Sequence, residues 1–157
     1  MIEVYDISWR NTENSAVALG YFDSIHIPEL AELTDTFLWD YKLSDPELHK
    51  KYTGHSNKRI IENLRQLDMY PVDIRLRCIM VAGVNMTSAH ASAIAEIFSS
   101  LEHCREVELL PYHAYGASKA AQSGIHVEPH REWIPDEDSL SAFACMLTNK
   151  GVRLHAR

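Results

Sequence analysis

The sequence predicts an α/β fold in which helices cover a parallel β-sheet. Short apolar, β-branched runs alternate with segments whose apolar residues recur at helical spacing. The helical segments carry their own start and stop signals, and no repeat or low-complexity segment breaks the alternation. An alternation of strand and helix forms right-handed βαβ units, whose strands run parallel.

Seven elements follow from these patterns. Apolar runs bounded by turn residues predict strands over 35–42, 72–83, 106–112 and 152–156. Helical spacing predicts helices over 56–70, 87–101 and 136–150. Thr87 is the expected N-cap of the second helix, and Gly151 follows the third, which begins with acidic residues and ends with a lysine.

Composition is that of an ordinary globular protein with one domain. The 157 residues are 46% hydrophobic and 24% charged. A net charge of −7 disfavours nucleic acid and anionic membranes as main partners, while a local basic site stays open. The sequence lacks an apolar run long enough to span a bilayer and a signal peptide at its start, and its three scattered cysteines are typical of a cytoplasmic protein.

Polar side chains follow the ends of three successive predicted strands. Asp40 and Lys42 stand two apart at the end of the first, so both point to one face. Arg77 lies, with Arg75, on one face of the second strand, and His113 follows the third. Because active groups of parallel α/β folds gather at the carboxyl ends of strands, these residues are candidates for one site.

The candidate set suits a zwitterionic ligand. Lys42, Arg77 and His113 are donors for a carboxylate or phosphate, and Asp40 suits an ammonium group, as at the amino-acid end of a methionine derivative. Simpler interpretations stay open: Asp40 and Lys42 could form a surface ion pair of small effect, and His113 could be a turn residue. Arg77, inside an apolar strand, needs a partner if it is buried.

Several motifs in this order resemble one known family. They are "DYK" at 40–42, "TGHSN" at 53–57, an arginine at 77 before "CIMVAG", and "LPYHAYGASK" at 110–119. Together they resemble the C-terminal half of the radical SAM enzymes that activate glycyl-radical enzymes, the pyruvate formate-lyase activating enzyme family. The resemblance runs over residues 20–157, and residues 1–19 stay unassigned.

The resemblance implies a fold, cofactors and a partner. The fold is a partial, TIM-like (β/α) barrel that holds S-adenosylmethionine and a [4Fe-4S] cluster, and the enzyme takes a hydrogen atom from a glycine of a pyruvate formate-lyase-type partner. By the same resemblance, Asp40, Lys42, Arg77 and His113 contact S-adenosylmethionine, with Lys42 and His113 on its carboxylate.

The sequence also departs from the family pattern. The Cys-x-x-x-Cys-x-x-Cys motif that binds the cluster is missing, and the spacing of Cys78, Cys104 and Cys145 cannot replace it. The Gly-Gly-Glu segment is missing too, and the apolar residues 17–19 (Val-Ala-Leu) stand where the family has polar residues. We therefore expect no cluster ligation, weak or no S-adenosylmethionine binding and no activity from this chain alone.

The alternatives are a non-catalytic module that docks a partner and an inactive remnant. Half a parallel barrel leaves a strand edge open, which predicts self-association through that edge. The sequence leaves open whether the chain is an expressed fragment, a truncated gene product or one subunit of a split enzyme.

Overall fold

A single mixed sheet organises the chain. The computed structural model describes residues 7–10 by their backbone and residues 15–113 and 130–156 in full. Five strands lie in the order β1 (Ile7–Arg10), β2 (Ser15–Ala18), β3 (Thr36–Asp40), β4 (Asp73–Met80) and β5 (Cys104–Pro111). Strands β2 to β5 are parallel, which confirms the predicted parallel sheet. Strands β1 and β2 were both missing from the predicted elements, and β1 pairs antiparallel with β2.

Helices connect the strands. They are α1 (Ile27–Leu33), α2 (Pro46–Thr53), α3 (Lys58–Leu67), α4 (Ser88–Ser100) and α5 (Glu137–Asn149). The three predicted helices correspond to α3, α4 and α5, and the Thr87 side chain caps α4 by accepting from the His90 amide at 3.1 Å. The short helices α1 and α2 were missed because they span only about two turns each.

In the part of the chain that the structure describes, no helix has both the length and the apolar character needed to cross a membrane.

The strand predicted over 152–156 is reduced to one bridge. Leu154 bridges Val107 of β5, and two backbone hydrogen bonds flank it: the Val107 amide donates to the Arg153 carbonyl at 2.8 Å, and the His155 amide donates to the Val107 carbonyl at 2.9 Å. The prediction of a full strand was therefore wrong in extent. The segment touches β5 only near its middle.

The two faces of the parallel sheet differ in polarity. One face packs against the helices and is apolar and fully buried, with Phe37, Trp39, Ile74, Leu76 and Met80 at its centre. The other face carries the alternate residues, which are half-buried along β4. Strand register brings charged residues together on this second face, since Arg75 pairs with Glu106 and Arg77 with Glu108.

Gly20 allows the chain to pass over the core tryptophan at the end of β2. Its φ is +74°, and a Cβ at this position would lie 2.3 Å from the Cζ2 atom of Trp39. The buried Asn63 of α3 fixes the same turn, because its side-chain amide donates to the Gly20 and Phe22 carbonyls, each at 2.9 Å. A glycine is required here both for backbone conformation and for space.

Candidate functional site

Three of the four candidate residues gather at the carboxyl end of β3, where Arg77 contributes from the interior of the neighbouring strand β4. Asp40 is the last residue of β3 and pairs in register with Arg77. The Arg77 Nε atom lies 3.3 Å from Asp40 Oδ1 in an ion pair, with both side chains largely buried. The largely buried Arg77 therefore has an opposite charge beside it, as its position in an apolar strand requires.

Lys42 shares a small cavity with Asp40. Its volume is about 20 Å³, and its lining also includes Tyr21, His49, Thr53 and His55. Burial lowers the pKa of Lys42, and Arg77 adds to this effect, while the Asp40 carboxylate opposes it. A cavity of this size accommodates one water-sized group, so it would hold at most one polar end of a ligand.

Two buried asparagines fix the backbone around Lys42. The Asn85 side-chain amide donates to the Lys42 carbonyl at 2.8 Å and to the Ile79 carbonyl at 2.7 Å, while its oxygen accepts from the Val81 amide at 2.7 Å. The Asn57 side-chain amide donates to the carbonyls of Leu43 and Ser44, the two residues after Lys42, at 2.9 and 2.8 Å. The loop that carries Lys42 is thereby tied to β4 and α3.

His49 closes the turn that follows α2. It is 4% exposed, and its Nδ1 lies 2.6 Å from the His55 carbonyl oxygen. The Thr53 hydroxyl lies 2.9 Å from the same nitrogen and donates to the His49 carbonyl at 2.7 Å. These contacts explain the local role of the "TGHSN" segment, in which Gly54 ends α2 with a φ of +88°.

His113 lies apart from this cavity. It is exposed and follows β5 by two residues, and the preceding Tyr112 amide donates to the Met80 carbonyl at 2.9 Å. Among the residues that the structure describes, the cavity of Asp40 and Lys42 is not lined by His113. The structure thus brings Asp40, Lys42 and Arg77 together, whereas His113 follows β5 at the same edge of the sheet and does not line their cavity.

A second cavity is also lined by Lys42. It measures about 20 Å³ and is lined by residues that include Tyr52, Ile79 and Trp133. Trp133 packs edge-on against Tyr52 and Tyr112, with ring centroids 5.8 and 5.6 Å apart, and its carbonyl accepts from the Ala82 amide at 2.9 Å. An aromatic cluster therefore borders the carboxyl ends of β4 and β5.

A further ion-paired group extends the polar face toward the amino ends of the strands. Arg75 Nη2 and His155 Nδ1 lie 2.7 and 2.8 Å from the same oxygen of Glu106, respectively. This group joins the C-terminal segment to β4 and β5. It gives a structural role to Arg75, the arginine of β4 that was not among the candidate ligand residues.

The cysteines do not suit an iron–sulfur cluster. Cys78 and Cys104 are buried in the core, where burial raises the pKa of both thiols, that of Cys104 to about 12. Cys145 is exposed on α5. Within residues 15–113 and 130–156, no three His, Cys, Asp or Glu side chains are grouped as metal ligands would be.

The residues that sequence reasoning missed are His49, Asn57 and Asn85. Asn57 lies within the quoted "TGHSN" segment, whereas His49 and Asn85 lie just outside the quoted motifs. The match drew attention to charge, whereas these residues act through buried hydrogen bonds that only the folded chain reveals.

Comparison with known proteins gives no matching family model. The chain is 35% identical over 122 residues to the trans-4-hydroxy-L-proline dehydratase activating enzyme of Clostridioides difficile, which is 77% of this chain and 40% of that protein. It is 30% identical over 115 residues to the pyruvate formate-lyase-activating enzyme of Staphylococcus epidermidis, which is 73% of this chain and 46% of that protein. The chain thus spans about half the length of the curated relatives it matches.

Solved structures agree on the fold. A domain of a pyruvate-formate lyase-activating enzyme from Bacteroides vulgatus superposes with a TM-score of 0.72 and 20% identity, covering 90% of this chain and 78% of that one. A radical SAM methyltransferase from Sphaerobacter thermophilus gives a TM-score of 0.58 and 18% identity, covering 91% of this chain and 39% of that one. The predicted resemblance is confirmed over about half of these relatives' length: the chain is similar to activating enzymes named for pyruvate formate-lyase and for trans-4-hydroxy-L-proline dehydratase.

Proposed function

We propose that residues 20–157 are the S-adenosylmethionine-binding C-terminal part of a glycyl-radical enzyme activating enzyme. One observation carries the proposal: Asp40 and Lys42, the positions of the family's Asp-x-Lys motif, line one cavity, and Asp40 is ion-paired with Arg77. Their place at the carboxyl ends of parallel strands is where ligands bind in folds of this class.

The donor set fits the amino-acid end of S-adenosylmethionine. Lys42 and Arg77 supply positive charge for the carboxylate, and Asp40 supplies an acceptor for the ammonium group. His113, which follows β5 at the same edge of the sheet, would add a second donor for the carboxylate from outside the cavity. Because the cavity is small, the adenosyl part would lie over the half-buried polar face of the sheet.

The cluster that supplies the electron for cleavage of S-adenosylmethionine in this family has no fitting ligands here. Two cysteines are core residues and the third lies on α5. We therefore propose that the [4Fe-4S] cluster belongs to the part of the relatives that this chain does not match. Without it, the chain binds S-adenosylmethionine weakly and does not cleave it.

The proposed partner is a glycyl-radical enzyme of the pyruvate formate-lyase type. The two relatives are named for the activation of pyruvate formate-lyase and of trans-4-hydroxy-L-proline dehydratase. Activity on such a partner would require the missing half of the barrel, from the same or another polypeptide.

A non-catalytic module that docks the partner is the second candidate function. The observation that favours it is the pairing of β1 with β2, which is antiparallel and covers the outer edge of β2. A further parallel strand, as a completed barrel needs, could pair with β2 only if β1 were displaced. On the other side of the sheet, the described residues of the C-terminal segment bridge β5 at Val107. Self-association would then use this edge of β5.

Titration calorimetry with S-adenosylmethionine tests the ligand site. We expect a dissociation constant of about 1 mM, roughly 4 kcal/mol, and a loss of at least about tenfold in Lys42→Met, which keeps the apolar stem but removes the charge. Lys51→Met is the matched control, because Lys51 is exposed on α2 beside Tyr52, outside the cavity. Micromolar binding that survives both Lys42→Met and His113→Ala would show that the ligand binds elsewhere.

A further inference from the structure

We propose that His49 is a further ligand-binding residue, whose unprotonated Nε2 accepts a hydrogen bond from the ammonium group of the bound zwitterion. The inference rests on the S-adenosylmethionine site proposed above and adds a residue to it. His49 stands outside the set of charged residues from which that site was built.

The hydrogen bonds of the turn define the tautomer of His49. A carbonyl oxygen can only accept, so the 2.6 Å contact between Nδ1 and the His55 carbonyl requires a proton on Nδ1. The Thr53 hydroxyl uses its own proton on the His49 carbonyl. In the neutral ring the proton is therefore on Nδ1, and Nε2 has a lone pair.

Nε2 is the ring nitrogen that the fold does not use. Among the residues that the structure describes, every hydrogen bond of the His49 ring involves Nδ1. The ring lines the cavity that Asp40 and Lys42 also line. A cavity of about 20 Å³ holds one water-sized group, and an ammonium group has about that size.

Burial keeps the ring neutral. Burial lowers the pKa of His49, and the positive charge of Lys42 acts in the same direction, against the hydrogen bond to the His55 carbonyl. A neutral imidazole and the Asp40 carboxylate give the cavity two acceptors beside the Lys42 donor. The two acceptors suit an ammonium group as the one water-sized group that the cavity holds, and Lys42 is a donor for the carboxylate attached to it.

A structural role for Nδ1 and a ligand role for Nε2 can be separated by substitution. In His49→Asn, the side-chain amide retains a donor near the position of Nδ1, so the turn keeps its contact with the His55 carbonyl but Nε2 is lost. In His49→Gln, the longer side chain brings an acceptor to the position of Nε2. A purely structural residue would tolerate Asn better, whereas a ligand residue would tolerate Gln better.

The experiment is a titration of the full chain with S-adenosylmethionine, followed by ¹H–¹⁵N NMR, with 5′-methylthioadenosine as a probe that lacks the amino-acid end. We expect His49→Asn to weaken S-adenosylmethionine binding roughly tenfold and to leave 5′-methylthioadenosine binding unchanged. His49→Gln should bind S-adenosylmethionine within about threefold of the wild type. In the wild type, the ¹⁵N signal of His49 Nε2 should shift on addition of S-adenosylmethionine but not of 5′-methylthioadenosine.

Controls separate failure of this inference from failure of the proposed function. His103→Asn is the matched control, since His103 also uses Nδ1 on a backbone carbonyl, that of Asp68 at 2.8 Å, but precedes β5 at the opposite end of the sheet. If Lys42→Met loses binding while His49→Asn binds like the wild type, the His49 inference is wrong and the site stands. If Lys42→Met binds like the wild type, or the wild type does not bind, both are wrong.

Discussion

The two faces of the sheet have different roles, one in the hydrophobic core and one in the polar candidate site, although their residues alternate along the same strands. On the helix-covered face, β3 and β4 present large apolar side chains that are fully buried. On the opposite face, the same strands present Asp40, Arg75 and Arg77, paired with one another or with Glu106 of β5. Stability and ligand chemistry are therefore encoded at alternate positions, so single substitutions can address one and spare the other.

The largest contrast between the faces is expected at two neighbours in β4. Leu76 is fully buried against the helices, and Leu76→Ala should lower the free energy of unfolding by about 2–5 kcal/mol. Arg75 is partly exposed, and Glu106 keeps His155 as a partner when Arg75 is removed, so Arg75→Ala should cost less than about 1 kcal/mol. Urea denaturation of both variants measures the contrast, and equal losses would contradict the division between the faces.

Gly20 provides a second test of the helix-covered face, because it packs against the buried Trp39. Gly20→Ala forces a methyl group onto the Trp39 ring in a left-handed backbone conformation, and we expect a loss of about 2–4 kcal/mol. Gly83→Ala is the matched control, because Gly83 has a φ of +70° but open space around its Cβ position. It should lose only about 1–2 kcal/mol, and the prediction is wrong if the two urea midpoints shift equally.

Protonation of the buried His90 provides a third test, of the stability on the helix-covered side of the sheet. His90 of α4 is 3% exposed, its Nδ1 lies 3.0 Å from the Ser44 hydroxyl, and burial lowers its pKa to about 4. The unfolded chain takes up this proton near pH 6.5 and the folded chain does not, so stability is complete above pH 6.5 and declines as pH falls toward 4. The expected loss is roughly 2–3 kcal/mol.

The measurement is the free energy of unfolding between pH 7 and 4.5 in the wild type and in His90→Asn. Asparagine keeps a polar group near Ser44 but does not titrate in this range. The variant should start less stable and lose less as the pH falls. An identical decline in both proteins would assign the acid sensitivity to other groups.

Much of the fold could be predicted because its signals are local. The alternation of apolar strands with helical segments gave the parallel order of β3, β4 and β5, and the cap at Thr87 gave the start of α4. Segments with weak local signals were missed or overextended. Strand β1 and the bridge at Leu154 depend on pairing with distant strands, which is decided by contacts that no local pattern contains.

For the candidate site, the sequence by itself determined which charges were available and at which end of the sheet they would lie. Strand parity and the Asp-x-Lys motif put Asp40 and Lys42 on one side of the chain, and the register of β3 with β4 brought Arg77 to Asp40. Only the tertiary structure decided what surrounds them. Asn85 binds the Lys42 carbonyl from 43 residues away in sequence. His49 of α2, whose Nδ1 contacts the His55 carbonyl in the following turn, lines the same cavity as Asp40 and Lys42. The physical reason is that a charge can be recognised from one residue, whereas a buried hydrogen bond needs both partners in place.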